Sequence, residues 1–325
     1  MYIRVKAAGM LTTVQDLGRF GLQKYGVLIS GAMDAAALRM ANLLAGNEEG
    51  EAALEITLLG PQLEFEKGAV IALAGGDLSP SIDGMAIPLW RPVYVPAGST
   101  LNFGRVLSGC RAYLAISGGI AVPKAMGSRS TYLRAGIGGV HGRALEAGDV
   151  LETGESVEWF KTCSDKTVVM PWGAGHSIRP AYQENPVIRV VRGPEFDKFG
   201  AESKQRLWTE PFRVTTQSDR MGYRLADVPL AVAAPVEMIS SAVSMGTIQI
   251  PPEGNPIVLL ADRQTVGGYP RIAHVISVDL PLIAQVRPGG CIRFTEVTQE
   301  EAQELYVKRE QEIAQFRQGL SLRMR

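Results

Sequence analysis

Asp262, Arg263 and Gln264 follow directly on the apolar run Val258-Leu-Leu-Ala261, and Gly267, Gly268 and Pro270 turn the chain just after them. An acid, a guanidinium and an amide delivered to the end of a short buried strand form a polar group on a rigid support. Glycine reaches φ > 0 without strain and proline fixes φ, which marks the turn. Such a trio can orient and polarise a small polar molecule. The same residues can equally close an ordinary ion pair beside a turn.

A second polar run, Ser218-Asp-Arg-Met-Gly-Tyr-Arg-Leu225, sets Asp219, Arg220 and Arg224 around a glycine. Arg220 and Arg224 could receive a carboxylate through paired donors. Alternatively, Asp219 and Arg224 close the loop on themselves. Near the start, Gln15, Asp16 and Arg19 crowd one turn-flanked segment, and Ser30-Gly-Ala-Met-Asp34 leads into a helix whose N-terminal N–H groups favour an anion. Asn42 lies two turns into that helix, where its amide either satisfies buried main-chain groups or faces a small polar substrate.

The usual machinery of hydrolases and nucleotide enzymes is missing from the sequence. There is no G-x-x-x-x-G-K-[ST] phosphate loop and no G-x-S-x-G elbow. Gly136-Ile-Gly-Gly-Val-His-Gly142 misses the dinucleotide spacing. His141, His176 and His274 stand apart, with no helix-spaced pair to hold a metal. Chemistry by this chain would therefore rest on hydrogen bonding, positioning and charge stabilisation.

The elements that must carry these residues read as short strands. Ala69–Ala74, Arg111–Ser117, Val187–Arg192 and Cys291–Phe294 are apolar runs punctuated by 36 glycines and 19 prolines, the texture of a β barrel or sandwich. Two helices are expected. One runs over 34–44, capped by Asp34 and stopped at Gly46. The other runs over 298–318, opened by a Thr298/Glu301 capping box, with Ala302, Tyr306, Ile313 and Phe316 on one face. The strand pattern lapses between about Glu155 and Pro186, and Pro171–Pro180 has the look of a linker or ordered loop. The expected domains are residues 1–165 and 186–297, both mainly β, followed by the C-terminal helix.

With 325 residues, 46% hydrophobic and 20% charged, the composition is that of a globular protein. Lys plus Arg and Asp plus Glu balance at 33 each, with no basic run, which argues against nucleic acid as a partner. No apolar window is long enough to cross a membrane and the start lacks a secretory core, so a cytoplasmic location is expected. Cys110, Cys163 and Cys291 are odd in number and far apart, which fits a reducing compartment and three small core residues.

Taken in order, Thr13-Val-Gln-Asp-Leu-Gly-Arg19, Ser30–Asp34, Ala41-Asn-Leu-Leu-Ala-Gly-Asn47, Leu54-Glu-Ile-Thr57, Gly127-Ser128, Ser218–Leu225 and Asp262–Pro270 span most of the chain. This series resembles the carboxyltransferase subunit-2 family. That family includes the C component of bacterial ATP-dependent 5-oxoprolinase, the sporulation regulator KipA, and half of the carboxyltransferase region of urea amidolyase. The resemblance implies two cyclophilin-like β-barrel domains. As partners it implies a sister carboxyltransferase subunit 1, like KipI or the B component of 5-oxoprolinase, and a third, lactam-handling subunit.

The activity so implied is ATP-dependent opening of 5-oxo-L-proline to L-glutamate by the complex, with this chain inactive alone. Asn42 and Asp262 would be catalytic, Asp262 handling a proton or orienting substrate. Arg263, Gln264, Ser30, Asp34, Arg220 and Arg224 would bind substrate. Biotin enters only under an alternative, carboxyl transfer to urea or a similar small amide. Lys124-Ala-Met126 is a poor imitation of a biotin-carrier motif, and the chain's length favours the 5-oxoprolinase component. A third possibility is a KipA-like regulator that antagonises a kinase inhibitor without chemistry.

Overall fold

The two longest strands, Ala69–Asp77 and Ser108–Ile116, are apolar along nearly their whole length because both of their faces are covered. They pair with each other at the centre of a six-stranded sheet, flanked by Ala53–Thr57 and Leu11–Gln15 on one side and Pro92–Val95 and Val168–Val169 on the other. A second six-stranded sheet is built from Val150–Glu152, Tyr2–Ala7, Gln62–Phe65, Thr100–Asn102, Ser81–Ile82 and Met85–Ala86. Side chains alternate across each strand. Ile71 and Leu73 from the first sheet join Ile3, Val5, Leu63, Phe65 and Leu101 from the second in one closed core. Helix α1 (Ala35–Leu44) packs on the central strands Ala69–Asp77 and Ser108–Ile116, where small residues such as Ala72, Ala74 and Ala115 let it approach.

The computed structural model describes residues 1–155 and 164–323, so the expectation for Cys163 lies outside the described residues. The chain divides into two compact units. One comprises Met1–Arg19, Ser30–Pro180 and Gln311–Arg325, and the other Phe20–Ile29 and Ala181–Glu310.

In the second unit seven strands close a barrel in the order Val187–Arg192, Arg271–Val275, Thr247–Gln249, Ile257–Leu259, Gly222–Ala226, Phe212–Val214 and Cys291–Glu296. All neighbours are antiparallel except the closing pair, where Val187–Arg192 runs parallel to Cys291–Glu296. The chain is thus mainly β, as the texture of its sequence indicates. Closure removes the open edges that a strand would otherwise expose.

Among the described residues three further α-helices follow: α2 (Ala201–Thr209), α3 (Leu280–Ala284) and α4 (Gln299–Arg323). Sequence reading misses α2 because only Ser203 and Leu207 of its nine residues are buried, too few to set a helical period. The Thr298/Glu301 box forms as expected, Thr298 N–H donating to Glu301 Oε2 at 2.8 Å and Glu301 N–H to Thr298 Oγ1 at 3.1 Å. The expected stripe needs correction. Ile313 is buried, but Tyr306 is 49% exposed and the helix runs on to Arg323, burying Leu320. Cys110 is buried, whereas Cys291 is the first residue of the barrel strand Cys291–Glu296 and is only partly covered. Among the described residues no helix is long and apolar enough to cross a membrane.

Candidate functional site

In the first unit the expected site residues organise the start of α1. Asp34 is the N-cap, its Oδ1 accepting from Ala37 N–H at 2.9 Å. Its own N–H donates to the Tyr113 hydroxyl at 2.8 Å, which donates to Glu55 Oε2 at 2.7 Å. Glu55 Oε2 also receives the Met33 N–H at 2.8 Å. This register follows from the sheet, where Tyr113 and Glu55 stand directly opposite each other. Burial, and then the carboxylates of Glu55 and Asp34, push the Tyr113 phenol well above its ordinary pKa, so it stays a proton donor. Ser30 sits at φ 57° and donates to the Thr131 carbonyl at 3.2 Å.

Asn42 is fully buried, and its amide N–H groups reach the main-chain carbonyls of Glu51 at 2.7 Å and Glu49 at 3.3 Å. Asn47 Nδ2 donates to Asn42 Oδ1 at 3.1 Å. The reading in which this amide satisfies buried main-chain groups describes the geometry. Asp16, from the polar segment Gln15–Arg19 near the start, is a hub of the same kind. It accepts from the Ser128 and Ser130 hydroxyls at 2.6 and 2.5 Å, from Arg129 N–H at 2.6 Å and from Gly18 N–H at 2.7 Å. No sequence signal separates such a saturated carboxylate from a catalytic one.

In the second unit the two polar runs meet. The loop after Ile257–Leu259 brings Asp262 against Arg220, Nε to Oδ2 at 2.9 Å and Nη2 to Oδ1 at 3.1 Å, with both side chains 6% exposed. Asp262 N–H also donates to the Arg220 carbonyl at 2.8 Å, so main chain and side chain lock the two loops together. The Ser218–Leu225 loop closes without calling on the Arg224 guanidinium. Asp219 Oδ1 accepts from Met221 and Gly222 N–H, and Ser218 Oγ accepts from Arg224 N–H at 3.0 Å. Arg224 itself points outward from an exposed strand position.

Arg263 differs from its neighbours. Arg189, Arg192, Arg213, Arg220 and Arg271 each hold a carboxylate, from Asp279, Glu296, Asp227, Asp262 and Glu195 in turn. Arg263, only 9% exposed, holds none among the described residues. Its Nη1 makes a 3.3 Å bond to the Leu260 carbonyl, and its Nε–H is buried with no acceptor. Burial lowers its pKa, as expected of a desolvated cation lacking a counter-charge.

The surface beside it is also polar. Thr247 and Gln249 alternate with core Ile248 along one barrel strand, and His274 stands opposite Thr247 on the next, their Oγ1 and Nδ1 3.4 Å apart. Gln249 is 4% exposed and its Oε1 has no donor among the described residues. Burial, then the positive charge of Arg263, lowers the His274 pKa, which favours the neutral imidazole. Gln264 reaches the same place: a methyl built on Gly267 would meet Gln249 Oε1 at 3.2 Å and Gln264 Nε2 at 3.7 Å. Arg263 and Gln264 are singled out in the sequence as candidates, whereas Gln249 and His274, which the fold sets beside them, are not. The alternation of Thr247 and Gln249 with Ile248 reads in the sequence as an ordinary solvent-facing strand face, and only the fold shows it covered. Among the described residues no group of three His, Cys, Asp or Glu is placed to hold a metal.

A closed seven-stranded barrel with a covered polar wall shares its chain with a unit of two six-stranded sheets. The family model of the carboxyltransferase domain, subdomain A and B, matches residues 25–296, and the chain belongs to this family. It is similar to the C component of 5-oxoprolinase from Haemophilus influenzae, 38% identical over 310 residues that cover 94% of each chain. It is 40% identical to the corresponding 5-oxoprolinase component of Escherichia coli over 300 residues, 92% of this chain and 93% of that one. The crystal structure of K. lactis urea amidolyase is similar with a TM-score of 0.89 and 33% identity, covering 97% of this chain and 20% of that chain.

Proposed function

We propose that the chain is the C component of an ATP-dependent 5-oxoprolinase, acting with a sister carboxyltransferase subunit and a lactam-handling subunit. The observation that carries this reading is the end-to-end similarity to two 5-oxoprolinase C components, which covers 94% and 93% of their lengths. In the reaction, water adds across the lactam C–N bond of 5-oxo-L-proline, oxygen to the carbonyl carbon and hydrogen to nitrogen, giving L-glutamate as ATP is cleaved. Of the two roles expected for Asp262, orientation suits a carboxylate held in a bidentate pair along the Nε–Nη2 edge of the Arg220 guanidinium. Arg263 and the neutral His274 are the groups placed to polarise or hold the substrate.

The test is reconstitution. The chain is co-expressed with its sister and lactam-handling subunits, and glutamate formed from 5-oxoproline is measured with and without ATP. ATP-dependent glutamate that disappears when this chain is omitted is the expected result; equal activity without the chain ends the proposal. A second reading, biotin-dependent carboxyl transfer to a urea-like amide, draws on the likeness to urea amidolyase. Transfer from a carboxylated biotin carrier to urea, in place of lactam opening, would select it.

A further inference from the structure

The face of the barrel opposite Ile248, Val258 and Ala273 has an unusual composition for a covered surface. Polar side chains on an outer strand face normally meet water. Here Thr247 and Gln249 are 5% and 4% exposed, because the segment after Ala261 folds across them. The cover is thin at its edge. Ser241–Ala242 pairs with Val266–Gly267 through two rungs only, and Ser241 Oγ is another buried oxygen without a partner.

Three groups on this face thus lack partners among the described residues: the acceptor Gln249 Oε1, the donor Arg263 Nε–H and the hydroxyl of Ser241. Buried polar atoms almost always find partners, so a cluster of orphans of both signs marks a place where a polar ligand completes the set. The cation lacks a carboxylate in a unit whose other buried arginine, Arg220, has one. Gly267 packs directly against this face. Its φ lies outside the left-handed region, so the backbone does not demand glycine, and a methyl there would press on Val243 Cγ1 at 3.1 Å as well as on Gln249.

We propose that Arg263, Gln249 and His274 form a binding site for a small planar amide acid, with the carboxylate on the Arg263 guanidinium and the amide N–H on Gln249 Oε1. The assignment of that ligand to 5-oxoproline rests on the function proposed above; the donor and acceptor pattern does not. Arg263 supplies a directional, charge-assisted contact to the carboxylate. Gln249 selects for an N–H over an unprotonated or alkylated nitrogen. His274, kept neutral, lies where it can accept or share a proton at the substrate without repelling the guanidinium. Entry requires the Ser241–Ala242 edge to part from Val266–Gly267.

The test uses the full chain and the reconstituted complex. Binding of 5-oxo-L-proline, of 2-pyrrolidinone (no carboxylate) and of L-proline (no lactam) to the full chain is measured by ligand-observed NMR and calorimetry. The wild type should prefer 5-oxoproline over both analogues by about tenfold or more. Arg263→Met should erase the advantage over 2-pyrrolidinone, and Gln249→Leu should erase the advantage over L-proline. Gln249→Leu also removes an orphaned buried acceptor, so the ligand-free chain should melt no lower than wild type. Gly267→Ala, which leaves every polar group in place, should weaken all three ligands together.

Unchanged affinities in Arg263→Met and Gln249→Leu would overturn the site, even if the complex opens the lactam. Arg263-dependent binding of the amide acid by the chain, in a complex that makes no glutamate, would leave the site standing and remove the assigned function. A Gln249→Leu chain that melts lower and binds normally would show that the amide serves the fold.

Discussion

Arg220 and Asp262, forty-two residues apart in sequence, grip each other through two side-chain bonds of 2.9 and 3.1 Å and a third between their main chains. Both side chains are almost out of solvent. A buried pair of this kind is weak as a net source of stability, because desolvation offsets the Coulomb gain, but it is costly to break on one side. What the pair fixes is the attachment of the loop that carries the next residue, Arg263, to the Ser218–Leu225 loop.

Replacing one partner should therefore hurt more than replacing both. Asp262→Ala or Arg220→Met should each lower the unfolding free energy by about 3–5 kcal/mol, and the double variant should lose less than the sum. Urea denaturation of the three variants gives the coupling directly. Additive losses would mean that the pair does not act as a unit.

Asn42 invites a similar test. Its Nδ2 donates to the carbonyls of Glu49 and Glu51 in a fully buried setting. Asn42→Leu leaves those carbonyls without a donor and should cost about 2–3 kcal/mol. Asn42→Asp should be worse, since a carboxylate faces two acceptors. Thermal melts of the two variants rank them; an Asp variant as stable as wild type would show that the carbonyls find water instead.

How far the sequence discloses all this depends on the kind of signal. The mainly β class, α1 with its Asp34 cap, and the Thr298/Glu301 box follow from local chemistry, because caps and short apolar runs act over a few residues. The C-terminal stripe fails at Tyr306, since spacing shows which residues share a face and nothing about what lies against it. The polar runs at 218–225 and 262–270 do come together, yet the partner of Asp262 is Arg220, from the distant run, and not Arg263 beside it. Gln249 and His274 join Arg263 only through pairing of distant strands, a relation that no local pattern carries.

The role of Asp34 separates by substitution. Its Oδ1 caps α1 through Ala37 N–H, a contact that an asparagine oxygen can reproduce. Asp34→Asn should keep the denaturant midpoint near that of wild type, and Asp34→Ala should lose about 1 kcal/mol. In the reconstituted complex a KM that rises in Asp34→Asn while stability holds would place the carboxylate on the substrate. An unchanged KM leaves it a helix cap.

His274 predicts how stability depends on pH. Its folded pKa is lowered from the ordinary 6.5 by burial and by the charge of Arg263. Between that lowered value and 6.5 the unfolded chain binds more protons than the folded one, so unfolding becomes easier as pH falls through this window. Above about 6.5 both states are neutral and the effect is absent. The melting temperature of the wild type should drop more steeply from pH 7 towards pH 5 than that of His274→Gln, which cannot titrate. Added salt should change the difference little, because Arg263 and His274 are both largely out of solvent and such pairs are poorly screened. Parallel curves for the two proteins would mean that His274 protonates in the folded state as readily as in the unfolded one, and that the polar face admits water.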